Sequence, residues 1–297
     1  MNTNLTFWGA TASPYQLKMQ ALADAAQVTW QRLPDQGGSL TALKTLRKLA
    51  RARKRGAVKR MPAYQPGLDE YPSVPFYTFD GHQFYYDSTG LALHLDALAL
   101  STHPLLVEDA AAGFITRLID EAFDEFGLYM AHHNRWVTSA ATNVMGITTI
   151  NEMGAIVPRP MRRHAAARLA QRQVRRCPYL FSVAPTDFDC DMPAALTPPS
   201  REGFPPTHEL LDSAWRQYLA AMENVLARQP YLLGERFTLA DASAYGQLSM
   251  NLVDGRAANL LAELAPITHR WLGMIRDGEH RNSSGEVWID PALTPLL

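Results

Sequence analysis

Apolar and polar positions change period along this chain, and each change marks an element. Leu5-Thr6-Phe7-Trp8 reads as a first strand and runs into Gly9-Ala10-Thr11-Ala12-Ser13-Pro14. Leu17, Met19, Leu22 and Ala25 then recur at helical spacing. Val28-Thr29-Trp30-Gln31-Arg32-Leu33, with apolar residues at alternate positions 28 and 30, reads as a second strand ended by Pro34-Asp35-Gln36-Gly37-Gly38. Leu40, Leu43, Leu46 and Leu49 predict a helix over 39–55. Two short β-type runs, 74–79 and 83–86, flank Asp80-Gly81-His82, a hairpin signal in which glycine supplies the positive φ of the turn. The second run ends at Asp87-Ser88-Thr89, all residues that favour a helix N-cap, and an apolar-periodic helix begins at Leu91.

After Ser101-Thr102-His103-Pro104, which reads as a linker, the pattern is helical throughout. A long helix is predicted over 105–136, carrying Phe114, Leu118, Phe123, Phe126 and Met130, and an arginine-rich one over 160–175. Residues 182–207 hold six prolines and predict an extended excursion. A third clear helix follows over 209–227. Thr238 with Asp241 three positions on is a capping box, and Phe237 before it suits a hydrophobic staple. The order strand–helix–strand, helix, hairpin, helix is that of an α/β thioredoxin-like fold, with its first two strands parallel. The expected organisation is therefore a thioredoxin-like N-terminal domain at 1–100 and an all-α helical-bundle C-terminal domain at 104–297.

Composition narrows the partners. The net charge is −1 and apolar content is 47%, which gives no general attraction to nucleic acid or membrane. No apolar run approaches the ~18–20 residues that span a bilayer. The N-terminus lacks the basic and apolar regions of a signal peptide, so the expected compartment is cytoplasmic. Cys177 and Cys190 supply neither a disulfide framework nor a metal spacing, and no metal is expected. Charge is uneven, however. Residues 36–68 carry nine Lys or Arg and no acid, making 36–70 a basic insertion in the predicted first domain. It reads either as a solvated cationic face, or as an anion-facing lid or a contact for an acidic partner.

Asp87 and Ser88 at a helix N-terminus, beside a strand opening with Val74-Pro75, form a polar socket suited to the amino-acid end of a peptide-like ligand. Each piece alone is an ordinary cap or a common dipeptide. Together with Leu232-Leu233-Gly234-Glu235-Arg236-Phe237-Thr238-Leu239-Ala240-Asp241-Ala242-Ser243, they resemble the glutathione S-transferase family. The resemblance covers 5–33, 71–98, 105–136 and 207–275. It implies that Val74, before a cis Pro75, pairs its backbone with the cysteinyl unit of glutathione. It also implies that Asp87 and Ser88 grip the γ-glutamyl group and that Asp241 anchors the helical domain.

Ser13-Pro14-Tyr15-Gln16 stands where thioredoxin-fold reductases carry Cys-Pro-Tyr-Cys. With no thiol at either cysteine position, disulfide exchange by the protein at this turn is excluded. A serine here resembles the serine-type transferases: the Ser13 hydroxyl would hydrogen-bond the glutathione sulfur and keep it ionised, with Thr11 the second candidate donor. Ser13 before Pro14 is equally a plain helix N-cap. His132 and His133 read as cations at a helix end, and as adjacent residues they make a poor metal pair. Asp120, Glu121, Asp124 and Glu125 line one helix; Glu121 and Glu125, four apart, could chelate, but the acids read as a solvated face. Tyr129, Trp136 and Trp288 are candidates to wall a second-substrate pocket. The resemblance implies glutathione transfer to a small apolar electrophile by a homodimer. A non-catalytic binding or adaptor protein, or a glutathione-dependent isomerase or ether-cleaving enzyme, remains open beside it.

Overall fold

The computed structural model describes residues 4–61, 74–98, 100, 103–139, 142–176 and 206–297. Strand β1 (Leu5–Trp8), helix α1 (Pro14–Ala25) and strand β2 (Trp30–Leu33) open the chain as a parallel β–α–β unit, with Leu5 opposite Trp30 and Trp8 opposite Leu33. Helix α2 (Ser39–Lys54) follows, then strands β3 (Lys59–Arg60), β4 (Phe76–Thr78) and β5 (Tyr85–Tyr86), then helix α3 (Ser88–Ala97). The strand order is β2-β1-β4-β5-β3, with β4 antiparallel to β1 and to β5. Asp80 closes the predicted hairpin: its Oδ1 accepts from the backbone N–H groups of His82 and Gln83, and Gly81 takes φ +69°.

Period-two alternation decides what each face of the sheet buries. Leu5, Phe7 and Tyr77 pack with Met19 and Leu22 of α1 and with Leu91 and Leu95 of α3. Trp8, Leu33, Phe76 and Phe84 face the other way, against Ala42 and Leu49 of α2. Each such aromatic contributes roughly 2–3 kcal/mol by leaving water. Most of α2 stays exposed, which suits its row of cations, although Arg53 lies over the Phe76 ring at 5.5 Å. The sequence reading assigned no strand to the basic insertion. In the structure its Lys59 and Arg60 form β3, an added edge strand parallel to β5.

The rest of the described chain is helical, as expected: α4 (Ala110–Ala122), α5 (Leu128–His133), α6 (Val144–Glu152), α7 (Arg162–Val174), α8 (His208–Leu226), α9 (Leu239–Ser249), α10 (Gly255–Leu264) and α11 (Pro266–Arg276). The helix predicted over 105–136 starts later. Asp96 accepts the N–H groups of Leu105 and Leu106, and Asp109 caps the helix through Ala111 and Ala112. It also continues through π-helical stretches at Phe123–Gly127 and Asn134–Thr138, each of which rotates the residues beyond it onto a new face.

The capping box at Thr238 forms, and the buried Asp241 also accepts the Leu232 N–H at 2.8 Å. The core runs without a break from the sheet into the helices, through Ile119, Phe123, Trp215 and Leu248. Helix α9 lies directly on α1. A Cβ at Gly246 would stand 2.7 Å from the Pro14 carbonyl, so only glycine permits this approach at the start of α1. The proline-rich segment at 182–205 and both cysteines lie outside the described residues. Among the described residues, no helix is long and apolar enough to cross a membrane, and no group of His, Cys, Asp or Glu is arranged to hold a metal.

Candidate functional site

A cleft of about 650 Å³ opens between the sheet and the helices. Ser13, Val74, Pro75, Asp87 and Ser88 all line it, although 60 to 75 positions separate the first from the rest. Thr11 is absent from this wall. Its hydroxyl and its N–H both donate to Glu152, which turns it to the other side of the loop.

Ser13 occupies the N-cap position of α1 with Pro14 next, but its side chain makes no capping bond. Backbone geometry alone, with φ −96° and ψ 124°, starts the helix. The hydroxyl therefore stands at the positive end of α1 without a hydrogen-bond partner among the described residues. Val74 is 42% exposed, and its peptide bond to Pro75 is cis. Ser88 is buried, and its hydroxyl likewise takes no partner among the described residues.

Asp87 differs from the expectation of a carboxylate open to a ligand ammonium. Its Oδ1 accepts the Gly90 N–H at 2.7 Å, and its Oδ2 accepts from Arg60 Nε at 2.8 Å. An incoming ammonium would share these oxygens, using their remaining lone pairs. Asp87 also holds φ +85°, a conformation that costs a non-glycine residue of order 1–3 kcal/mol. The Tyr77 hydroxyl donates to the Asp87 carbonyl and helps to hold that conformation.

Below the cleft, Lys18 is buried and bridges two carboxylates, Asp120 at 2.5 Å and Asp124 at 2.6 Å. Burial alone would push its pKa down, but the two anions outweigh it and hold the ammonium above an ordinary lysine. Asp120 also accepts from the Thr89 and Ser243 hydroxyls, so α1, α3, α4 and α9 meet at one hydrogen-bonded network. Burial pushes the Asp124 carboxyl above the usual carboxylate range, a rise that the neighbouring Lys18 ammonium opposes. Sequence reasoning missed this network, because nothing local to Lys18 points to residues a hundred positions away.

Arg135 was missed for the same reason. Its guanidinium is fully buried, and it donates to Asp254 Oδ2 at 2.8 Å, the Ala12 carbonyl at 2.9 Å and the Met250 carbonyl. It thereby fixes the residue before Ser13 to the helical part of the chain. Of the three aromatics named from sequence, Trp136 lines the cleft, while Tyr129 and Trp288 are not among its lining residues. His132 lines it too, but burial lowers its pKa to about 4, so it is neutral rather than the helix-end cation expected. Glu121 and Glu125 are exposed as expected, at the rim of the cleft, and Arg172, Gln173 and Arg176 complete the far wall.

Residues 200–273 match the family model of the glutathione S-transferase C-terminal domain. No curated protein sequence matches the chain. Among solved structures it is similar to the β-etherase LigF of Sphingobium sp. strain SYK-6, at 17% identity and TM-score 0.52, with 98% of each chain covered. It is also similar to a glutathione S-transferase from Methylobacillus flagellatus KT with glutathione bound, at 13% identity and TM-score 0.43, covering 92% of this chain and 98% of that one. A third is glutathione transferase F2 of Populus trichocarpa, at 13% identity and TM-score 0.47, covering 93% and 95%. Residues 200–273 thus match a glutathione S-transferase C-terminal domain, and a thioredoxin-like sheet joined to a largely helical remainder gives the chain the fold of the Sphingobium structure.

Proposed function

We propose that the protein is a glutathione transferase in which Ser13 activates the glutathione thiol for attack on a small electrophile. The observation that carries this reading is the uncapped Ser13 hydroxyl at the positive end of α1, facing the same cleft as Val74, Asp87 and Ser88. A free thiol has a pKa near ~8.5, and helix N-termini and nearby donors lower it by one to several units. The hydroxyl would donate to the sulfur and the α1 dipole would favour the anion, so thiolate predominates at neutral pH. The peptide backbone would run beside Val74, and its γ-glutamyl end would meet Asp87 and Ser88. The sulfur forms a bond to carbon, the leaving group departs with its electron pair, and the thiol proton goes to solvent.

The division into a glutathione-binding domain at 1–100 and a substrate-binding domain at 104–297, and assembly as a homodimer, belong to the same proposal. The name of the Sphingobium β-etherase supports one variant of it, in which the thiolate displaces an aryloxide from an ether carbon. Ser13→Ala tests the reading. Glutathione-transfer turnover is expected to fall at least tenfold, about 1.4 kcal/mol of transition-state stabilisation, while glutathione binding by calorimetry is largely kept. Undiminished turnover in Ser13→Ala would remove the serine from the chemistry.

A further inference from the structure

The far wall of the cleft carries charge that activating glutathione does not use. Over residues 153–186 the sequence holds seven arginines and no Asp or Glu. Most of these point outward from α7, but Arg172, in its last turn, and Arg176, just past its end, line the cleft. Spaced four apart, they share one face. Both are exposed, and among the described residues neither joins an ion pair. Cations at a helix C-terminus are favoured by its dipole, which accounts for arginines there but not for the side they face.

Trp136, Leu128, Leu169 and Met153 line the same cleft and give it an apolar surface, with the Trp136 ring as its aromatic part. Glu121, Asp124 and Glu125, from the end of α4 and the π-helical stretch after it, also line the cleft, and Asp124 is already engaged by Lys18. The acids thus come from the α4 segment and the two guanidinium groups from the C-terminal end of α7. A molecule with a negative end would be oriented by both sets of charges, that end toward α7 and its body against Trp136.

We infer that the second substrate is an aromatic electrophile bearing a carboxylate or comparable anionic group, which Arg172 and Arg176 bind while its reactive carbon faces Ser13. This inference rests on the transferase reading above and names the class of electrophile for the same cleft. Guanidinium groups suit the task because each can meet a carboxylate through two parallel N–H bonds.

The test compares two electrophiles built on the same reacting ring that differ by one charge, neutral 4-chloro-3,5-dinitrobenzamide and anionic 4-chloro-3,5-dinitrobenzoate. In both, glutathione sulfur bonds to the ring carbon, chloride leaves with its electron pair and the thiol proton passes to solvent. The full-length protein is expected to prefer the benzoate in kcat/KM. In Arg172→Gln/Arg176→Gln the ratio of benzoate to neutral kcat/KM is expected to fall at least tenfold, through a higher KM for the benzoate. The paired lysine variant restores most of the ratio, and Arg163→Gln, on the exposed side of α7, leaves it in place. Raising ionic strength lowers the wild-type ratio as well, because the guanidinium groups are exposed to screening.

An unchanged ratio in the glutamine variant, with both compounds turned over, overturns the inference alone. A rise in the KM for glutathione instead also overturns it, since the pair would then hold a carboxylate of the peptide. No turnover of either compound by the wild-type protein would sink the transferase reading and this inference with it.

Discussion

Arg135→Met is expected to destabilise the protein by about 4 kcal/mol. The Arg135 side chain is fully enclosed, and its partner Asp254 is 2% exposed, so the substitution strands a buried carboxylate. Removing one member of a buried ion pair costs roughly 3–5 kcal/mol. The Ala12 and Met250 carbonyls lose a charged donor too, although shifts of the loop recover part of that loss. A double-mutant cycle separates these contributions. In Arg135→Met/Asp254→Leu no charge is left buried, and the cost is expected to drop to about 2 kcal/mol, the part due to the two carbonyls. The measurement is urea denaturation of wild type, both single variants and the double, read as free energies with a common slope. A coupling energy of at least 2 kcal/mol is expected. Additive single variants, with coupling below about 0.5 kcal/mol, would refute the buried-pair account. Because Arg135 holds the residue before Ser13, Arg135→Lys is expected to lower kcat for thiol transfer more than it changes glutathione affinity.

Asp87→Ala and Asp87→Gly both remove the carboxylate and are expected to weaken glutathione binding in calorimetry. The glycine variant should be the more stable by about 1 kcal/mol, since it accepts the φ of +85°, and equal stabilities would show that this backbone carries no strain. Asp241→Ala leaves the N–H groups of Leu232 and Thr238 without their acceptor and is expected to cost about 3 kcal/mol by denaturation. A cost under 1 kcal/mol would show that water replaces the carboxylate. His133 tests the acid limb. Burial, and then the neighbouring His208, lower its pKa to about 3, against an ordinary 6.5. The unfolded chain therefore gains a proton that the folded one refuses as pH falls below 6.5, and stability is lost in that window. In His133→Asn this loss is absent, so the destabilisation of the variant relative to wild type should be about 2 kcal/mol smaller at pH 5 than at pH 7. A difference independent of pH would mean that the imidazole is protonated in the folded state.

What the sequence by itself determined is what short spacings encode. The hairpin at Asp80-Gly81-His82 and the capping box at Thr238 and Asp241 each close within a few positions, so their residues reveal them without a partner. The start of α3 at Asp87-Ser88 was legible for the same reason, and the expected set Ser13, Val74, Pro75, Asp87 and Ser88 does gather at one cleft. The two-residue strand β3 left no periodicity to read, because an edge strand that short is defined only by the neighbour it pairs with. The tertiary structure alone decided the roles of Lys18, Asp120 and Arg135. A charged residue in a helix looks the same in sequence whether it meets solvent or a buried counter-charge. The difference is made by which distant helix is folded against it, and that is fixed by the packing of the whole core rather than by any local pattern.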